Sequence, residues 1–146
     1  MSSVNQLLED FEFLDDWEDR YRYVIELGRD IPALSEGQRS AENKVQGCVS
    51  QVWLDTTVDR SVDGAPVLTF VGDSDAHIVR GLIAVLLKLF SGQSAQHILE
   101  TDAVAVLHRM GLDEHLTPQR SNGLKSMVDR IRRDAQAALE QVPARS

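Results

Sequence analysis

The apolar positions in the first part of the chain recur three and four residues apart, a spacing typical of amphipathic helices. One such run, Val4–Leu14, predicts a first helix. A second run, Trp17–Ile25, predicts another helix that begins after Asp15 or Asp16 as N-cap and stops at Gly28. The chain therefore opens with two helices joined by a short polar turn.

The centre of the chain has the period of two that strands show. Apolar and polar residues alternate through Gln51–Val58, which predicts a strand. Asp63-Gly64 favours a hairpin turn, and Val67–Val71 predicts the returning strand. We expect this pair to be antiparallel, because a parallel pair needs a crossover of a dozen or more residues. The polar segment before it, Arg29–Glu42, is predicted to be a surface loop.

The second half of the chain predicts helices only. The longest apolar run, Ile78–Phe90, is too short to span a bilayer and indicates a buried core helix. Ser74 is its expected N-cap, and Ser91-Gly92 its expected end. Two short helices should follow, at Ala95–Glu100 and Asp102–Met110.

The last predicted helix is the longest. Thr117 is placed as its N-cap, with Pro118 at the first helical position. Residues from Pro143 onward are expected to fray. Without a repeat or a linker, residues 1–146 are predicted to be a single α+β domain, a small antiparallel sheet packed against several helices. The inner face of the last helix is predicted to consist of Leu124, Met127, Val128, Ile131, Ala135 and Leu139.

Charge and cysteine content limit the possible functions. With 23 acidic and 15 basic residues the formal charge is -8, which gives no support to nucleic-acid binding. The acidic residues are densest near the start, where a solvated helix face and an acidic docking surface both fit. The polar first residues indicate no export signal. With one cysteine among 146 residues, we expect a cytoplasmic protein.

The single cysteine, Cys48, is the main candidate for chemistry. It cannot form an internal disulfide, and it cannot alone supply the ligands of a zinc or iron–sulfur site. Gly47 suits an exposed loop tip, and Lys44 would favour the thiolate. Val49 and Trp53, in contrast, are typical neighbours of a buried and inert cysteine. The residues alone leave a reactive and a structural thiol equally open.

Histidines offer a second possible chemistry. The chain has no pair of histidines or cysteines at metal-ligand spacing and no phosphate-binding glycine loop. A cysteine-dependent transferase or hydrolase, with a histidine as general base for Cys48, is the alternative function. Its candidate bases are His77, His97, His108 and His115.

Four sequence blocks resemble those of the SufE/CsdE family of sulfur-acceptor proteins. They are W-E-D-R-Y-R-Y-V-I-E-L-G, N-K-V-Q-G-C-V-S-Q-V-W, G-D-S-D-A-H-I-V-R-G-L-I-A-V-L-L and H-L-T-P-Q-R-S-N-G-L-K-S-M. The blocks occur in the family's order between Leu14 and Arg133, which is nearly the whole chain. This combination is highly specific.

The resemblance implies a sulfur carrier that is not itself an enzyme. In this family the cysteine that matches Cys48 takes the outer sulfur of a persulfide from a cysteine desulfurase of the SufS/CsdA type, stimulates that enzyme, and passes the sulfur to an iron–sulfur scaffold complex. Pyridoxal phosphate belongs to the desulfurase, so we expect this chain to bind no cofactor and no metal. The resemblance also implies a fold similar to the IscU-type scaffold, and it leaves monomer and homodimer open.

The resemblance also implies residues for partner binding. Arg120 matches an arginine that the family keeps near the desulfurase interface, and the competing explanation is a first-turn residue that contacts solvent or a local carboxylate. Arginine is unfavourable at a helix N-terminus, which favours the functional explanation. Gly47 and Lys44 are the candidates beside the cysteine. Asp73, Asp75 and His77 are further candidates from the third block, for which helix capping is the competing explanation.

Overall fold

A computed structural model describes residues 3–47, 50–60 and 65–141 of the chain. Cys48 and Val49 lie outside the described residues. So do the predicted turn at Asp63-Gly64 and the predicted frayed tail from residue 142.

The described part of the chain contains helices at both ends and strands in the middle, as the hydrophobic pattern predicts. Its elements are α1 (Ser3–Phe13), α2 (Trp17–Arg29), β1 (Val52–Asp59), β2 (Val67–Ser74), α3 (His77–Phe90), β3 (Gln93–Ser94), α4 (Ala95–Glu100), α5 (Ala103–Arg109), α6 (Leu112–His115) and α7 (Pro118–Gln141).

The strands form one antiparallel sheet in the order β1-β2-β3. Val52 lies opposite Ser74 in the β1–β2 register, and β3 pairs with the first two residues of β2. One face of the sheet is apolar, because Val52 and Leu54 of β1 and Leu68 of β2 are completely buried. Helix α3 covers this face.

Helix α3 is the centre of the core, since it packs against the sheet and against α2. The approach of α2 and α3 is close enough that a Cβ at Gly81 would overlap the carbonyl oxygen of Val24. Helix α7 packs against α4 and α3, and it buries Met127, Ile131 and Ala135. The prediction of a single α+β domain with a small antiparallel sheet against several helices is confirmed. The likeness to the IscU-type fold stays a prediction.

The predicted N-cap of the core helix is wrong. Strand β2 continues to Ser74, beyond the predicted end at Val71, because Ser74 still pairs with Val52. The helix begins only at His77, and its N-cap, Ala76, has no capping side chain. The Ser74 hydroxyl instead accepts a hydrogen bond from the backbone N–H of Ala76 at 3.2 Å, in the turn between the strand and the helix.

Other differences from the sequence-based prediction are local. The loop after α2 is not only a surface loop, because Leu34 in it is buried. Ala138 is buried on the inner face of α7, whereas Leu139 is only partly buried. The two-residue β3 and four-residue α6 are too short to produce a periodic pattern. No helix in residues 3–47, 50–60 and 65–141 is long and apolar enough to cross a membrane.

Candidate functional site

The segment that contains Cys48 is held together at its base by backbone hydrogen bonds. The N–H of Val45 donates to the carbonyl of Val52 at 2.8 Å, and the N–H of Leu54 donates to the carbonyl of Asn43 at 2.8 Å. These bonds join the start of β1 to the residues before the loop in antiparallel fashion. Residues 46–51 are therefore a short connection between two paired backbone segments, and they include the only cysteine of the chain.

The entry to this connection requires glycine. Gly47 has φ of +90°, a region that residues with a Cβ rarely adopt. A Cβ there would also lie 2.5 Å from the Oγ of Ser126 on α7. The loop therefore turns tightly against α7 immediately before Cys48.

The exit of the connection is fixed by Asp75. The Asp75 carboxylate accepts a hydrogen bond from the N–H of Gln51 at 3.1 Å, and the Asp75 N–H donates to the carbonyl of Gln51 at 3.3 Å. Asp75 lies in the β2–α3 turn rather than in a first helical turn, which corrects the capping explanation for this residue. His77 is exposed at the first position of α3, and its role in partner binding stays a prediction.

A cavity of about 260 Å³ opens beside the exit of the connection. Its apolar side is formed by β1, α3 and α7, and its polar rim by the first turn of α7. A water molecule occupies about 30 Å³ of liquid volume, so this space is large enough for a side chain. None of its described lining residues is a histidine. The lining residues are Ser50, Val52, Val79, Leu82, Thr117, Gln119, Arg120, Gly123 and Met127.

Arg120 brings a positive charge to the rim of this cavity. It is the third residue of α7, and its N–H donates to the Oγ1 of the N-cap residue Thr117 at 3.3 Å. Its Nη1 donates to the hydroxyl of Tyr21 on α2 at 3.4 Å. Among the described residues its guanidinium has no carboxylate partner. The structure thus brings Arg120 to the same cavity as Ser50, two residues after Cys48.

Lys44 lines a different opening. It is exposed at the edge of a polar groove of about 500 Å³ between the residues before Gly47 and the outer side of α7. Lys44 also pairs with Trp53 through its backbone. The two cations predicted to bind partners therefore do not share one pocket.

Asp73 is buried, with only 1% of its surface exposed, and both of its carboxylate oxygens accept hydrogen bonds. Arg39 donates to it at 2.7 Å, Arg80 forms an ion pair with it, and the N–H groups of Ser74 and Leu34 donate at 2.8 and 3.4 Å. Burial by itself would raise the pKa of Asp73, but these four donors outweigh it and hold the pKa below the usual aspartate value. A buried, fully bonded carboxylate does not fit direct contact with a partner, which corrects the sequence-based assignment of Asp73.

The two arginines around Asp73 connect distant parts of the chain. Arg80 also donates to the carbonyls of Gly28 and Ile31 at the end of α2. The guanidinium of Arg39 lies 5.6 Å from the ring centroid of Trp53, within cation–π range. Neither arginine was a candidate site residue from the sequence. The only signal was a charged residue, Arg80, in the most apolar helix of the chain.

Comparison with known proteins identifies the family. Residues 5–135 match the SufE family, described as an Fe-S metabolism associated domain. The chain belongs to the SufE family. The resemblance of the four sequence blocks is therefore confirmed, and family membership assigns the protein to iron–sulfur metabolism.

Two relatives agree with this assignment, and a solved structure has a similar fold. The chain is 54% identical over 139 residues to an uncharacterised SufE-like protein of Rhizobium meliloti (strain 1021), covering 95% of this chain and 99% of the relative. It is 56% identical over 135 residues to one of Rhizobium etli, covering 92% and 90%. The solution structure of a hypothetical protein from Thermus thermophilus superposes with a TM-score of 0.73 at 23% identity, covering 94% and 96%. This last likeness supports the fold alone.

The described residues contain no group of three or more His, Cys, Asp or Glu side chains that could hold a metal ion.

Proposed function

We propose that this protein is a cytoplasmic sulfur carrier that receives a persulfide sulfur on Cys48 from a cysteine desulfurase of the SufS/CsdA type. The observation that supports it best is the position of Arg120. The residues on both sides of Cys48 are anchored, at Gly47 against α7 and at Gln51 by Asp75. The exit of this loop faces a cavity with a guanidinium at its rim that no described carboxylate neutralises.

The transfer is an exchange at sulfur. The Cys48 thiolate attacks the outer sulfur of the desulfurase persulfide, a new S–S bond forms on Cys48, and the sulfur–sulfur bond on the desulfurase breaks. The desulfurase cysteine leaves with the electron pair as a thiolate, so no external oxidant or reductant is needed. Its release readies the desulfurase for the next cycle, which explains stimulation. A nearby arginine favours the anionic forms of sulfur that the exchange requires.

The proposed acceptor of the sulfur is an iron–sulfur scaffold complex. A single cysteine suits a carrier, because the chain has no second thiol that could expel the bound sulfur by forming an internal disulfide. The same fact argues against a role as the scaffold itself, since clusters are held by several cysteines. Pyridoxal phosphate is expected on the desulfurase and not on this chain.

The alternative, a transferase or hydrolase with a histidine base, gains nothing from the geometry. No histidine is found among the described residues that line the cavity. Of the four histidines proposed as bases, His115 is nearest to Arg120 in sequence, and it stacks on Trp17 with ring centroids 4.3 Å apart. A general base must reach the nucleophile directly or through one water.

Intact-mass analysis tests the carrier function. After incubation with a desulfurase, pyridoxal phosphate and cysteine, the chain is expected to gain the mass of one sulfur atom, on the peptide that contains Cys48. The Cys48→Ser variant should bind the desulfurase and gain no sulfur, because an alkoxide or hydroxyl does not form a persulfide. The wild-type chain should also raise sulfide output of the desulfurase in a saturable way. Absence of the mass gain, or several turnovers by the chain alone, would contradict the proposal.

A further inference from the structure

The first two turns of α2 contact the end of α6 and the first turn of α7 through two side-chain contacts. Tyr21 of α2 accepts the hydrogen bond from Nη1 of Arg120 at 3.4 Å. One helical turn earlier, Trp17 stacks on His115 with ring centroids 4.3 Å apart and an interplanar angle of 14°. His115 precedes the N-cap of α7, Thr117, by two residues. The aromatic contact therefore holds the residues just before α7, close to the helical turn from which the Arg120 side chain projects.

The phenol that Arg120 contacts is itself held in place. Tyr21 is partly buried and packs against the hydrophobic core, and the ring of Trp17 meets it edge-on at 6.4 Å. A tyrosine has two side-chain torsions, so a ring held on two sides leaves its hydroxyl little freedom. Arginine side chains, in contrast, have many rotamers and lose conformational entropy when they are fixed. A rigid acceptor on α2 reduces the range of positions that the guanidinium samples before a partner arrives.

The nature of the acceptor matters as much as its position. A carboxylate would hold an arginine firmly but would also offset its charge, as Asp73 does in the ion pairs that it forms with Arg39 and Arg80. The phenol of Tyr21 is uncharged and uses one of the five N–H donors of the guanidinium. Arg120 is thus oriented without losing its charge, in a chain in which 23 acidic residues outnumber 15 basic ones.

From these contacts we infer that Tyr21 is a positioning residue, which holds Arg120 at the cavity rim with its charge and most of its N–H groups available to an anionic group of the sulfur-donating partner. The anionic group is a carboxylate or a persulfide anion, both of which a guanidinium binds through charge-assisted hydrogen bonds. The inference rests on the proposed function, because it assigns Tyr21 to the capture of the donor and not to the chemistry at sulfur.

A double-mutant cycle with Tyr21→Phe and Arg120→Ala tests this inference. The measurement is the initial rate of persulfide formation on Cys48 at a fixed desulfurase concentration and varied carrier concentration. Tyr21→Phe keeps the ring and removes the hydroxyl. We expect it to raise the carrier concentration for half-maximal rate roughly 2- to 10-fold, the range of one lost hydrogen bond, with the maximal rate unchanged. In the Arg120→Ala background the same change should have no further effect.

Tyr23→Phe is the matched control. Tyr23 lies on the same helix, and its hydroxyl donates to Asp10 at 2.6 Å rather than to α7. This variant also loses one tyrosine hydrogen bond, but it should leave the half-maximal concentration as in the wild type. Equal effects of Tyr21→Phe in the presence and absence of Arg120, or a loss of maximal rate only, would overturn the inference.

A second measurement keeps the inference separate from the proposed function. In NMR spectra of the isolated chain, the guanidinium signals of Arg120 should shift in Tyr21→Phe and stay in place in Tyr23→Phe. If the wild-type chain gained no sulfur at all, the proposed function would fail, while these signals would still report the contact. Guanidinium signals unchanged by Tyr21→Phe would overturn the positioning role itself.

Discussion

At the scale of single residues, Arg120 is placed where helix stability and function make opposite demands. It is the third residue of α7, the position at which a glutamate or glutamine would complete a capping box with Thr117. A positive side chain in the first turn also repels the positive end of the helix dipole. An arginine at this position therefore lowers the stability of the helix. Its proposed role at the cavity rim accounts for its presence there.

Substitution of Arg120 should separate these two demands. We expect Arg120→Glu to raise the free energy of unfolding by about 0.5–1 kcal/mol, because it completes the capping box and suits the helix dipole. The same variant should lose most of its persulfide formation at low carrier concentration. Arg120→Gln, which is neutral and still able to cap, is the control for charge. Urea unfolding and the mass assay are the two measurements, and a glutamate variant that is less stable or fully active would contradict this account.

At the scale of elements, the packing of α2 on α3 is the contact that places Tyr21 near α7. The two helices approach at backbone distance, because Gly28 faces Gly81 and leaves no room for a Cβ. Arg80 secures the end of α2 at the same point, because its Nε and Nη2 both donate to the carbonyl of Gly28. The position of the cavity rim thus depends on the close packing of α2 against α3.

Adding one methyl group at this contact should be costly. We expect Gly81→Ala to lower the free energy of unfolding by roughly 1–3 kcal/mol or more, because the added Cβ overlaps the backbone of Val24 and must push the helices apart. Gly37→Ala is the control, since the nearest atom to its added Cβ is 4.0 Å away. The control should change stability by less than about 0.5 kcal/mol. Denaturant midpoints measure both, and equal midpoints would show that the helix pair adjusts freely.

At the scale of the whole molecule, the free energy of unfolding should fall at acid pH, because the fold stabilises the ionised form of certain carboxylates. Burial acts to raise the pKa of Asp73, but its arginine and backbone donors together lower it below the usual aspartate value. The pKa of Asp10 is lowered by hydrogen bonds from Tyr23 and Gln6. A folded-state pKa below the unfolded value means that the contribution to stability is complete above pH of about 4. It is lost as the pH falls from there through the folded-state pKa.

The acid limb of the stability curve should therefore become shallower when Asp73 is removed. Asp73→Asn is expected to lower stability at neutral pH by about 2–3 kcal/mol, less than for a fully buried pair because Arg39 is partly exposed. Below pH of about 4 the difference from the wild type should shrink, since the wild-type carboxylate becomes neutral as well. Asp129→Asn, at an exposed position on α7, serves as control. A constant difference across the pH range would exclude Asp73 as the titrating group.

Much of the architecture was predictable because it depends on local periodicity. The spacing of apolar residues indicated α1, α2, the core helix and the last helix, and the alternation after Gln51 indicated β1. The N-cap of α3 was not predictable, because it depends on how far β2 pairs with β1, which sequence neighbours of Ser74 do not reveal.

Residue order alone was enough to identify the family and to select Cys48 and Arg120 as candidate site residues, because family motifs and the cysteine count are properties of residue order. Which side chains lie around Arg120 depends instead on how the elements pack in three dimensions. Tyr21 and Arg120 are 99 residues apart, and Asp73 and Arg39 are 34 apart. Hydrogen bonds over such separations form when packing brings two elements together, and no local pattern records which elements those are. For the same reason Asp73, a candidate for partner contact by its motif, is a buried structural carboxylate in the fold.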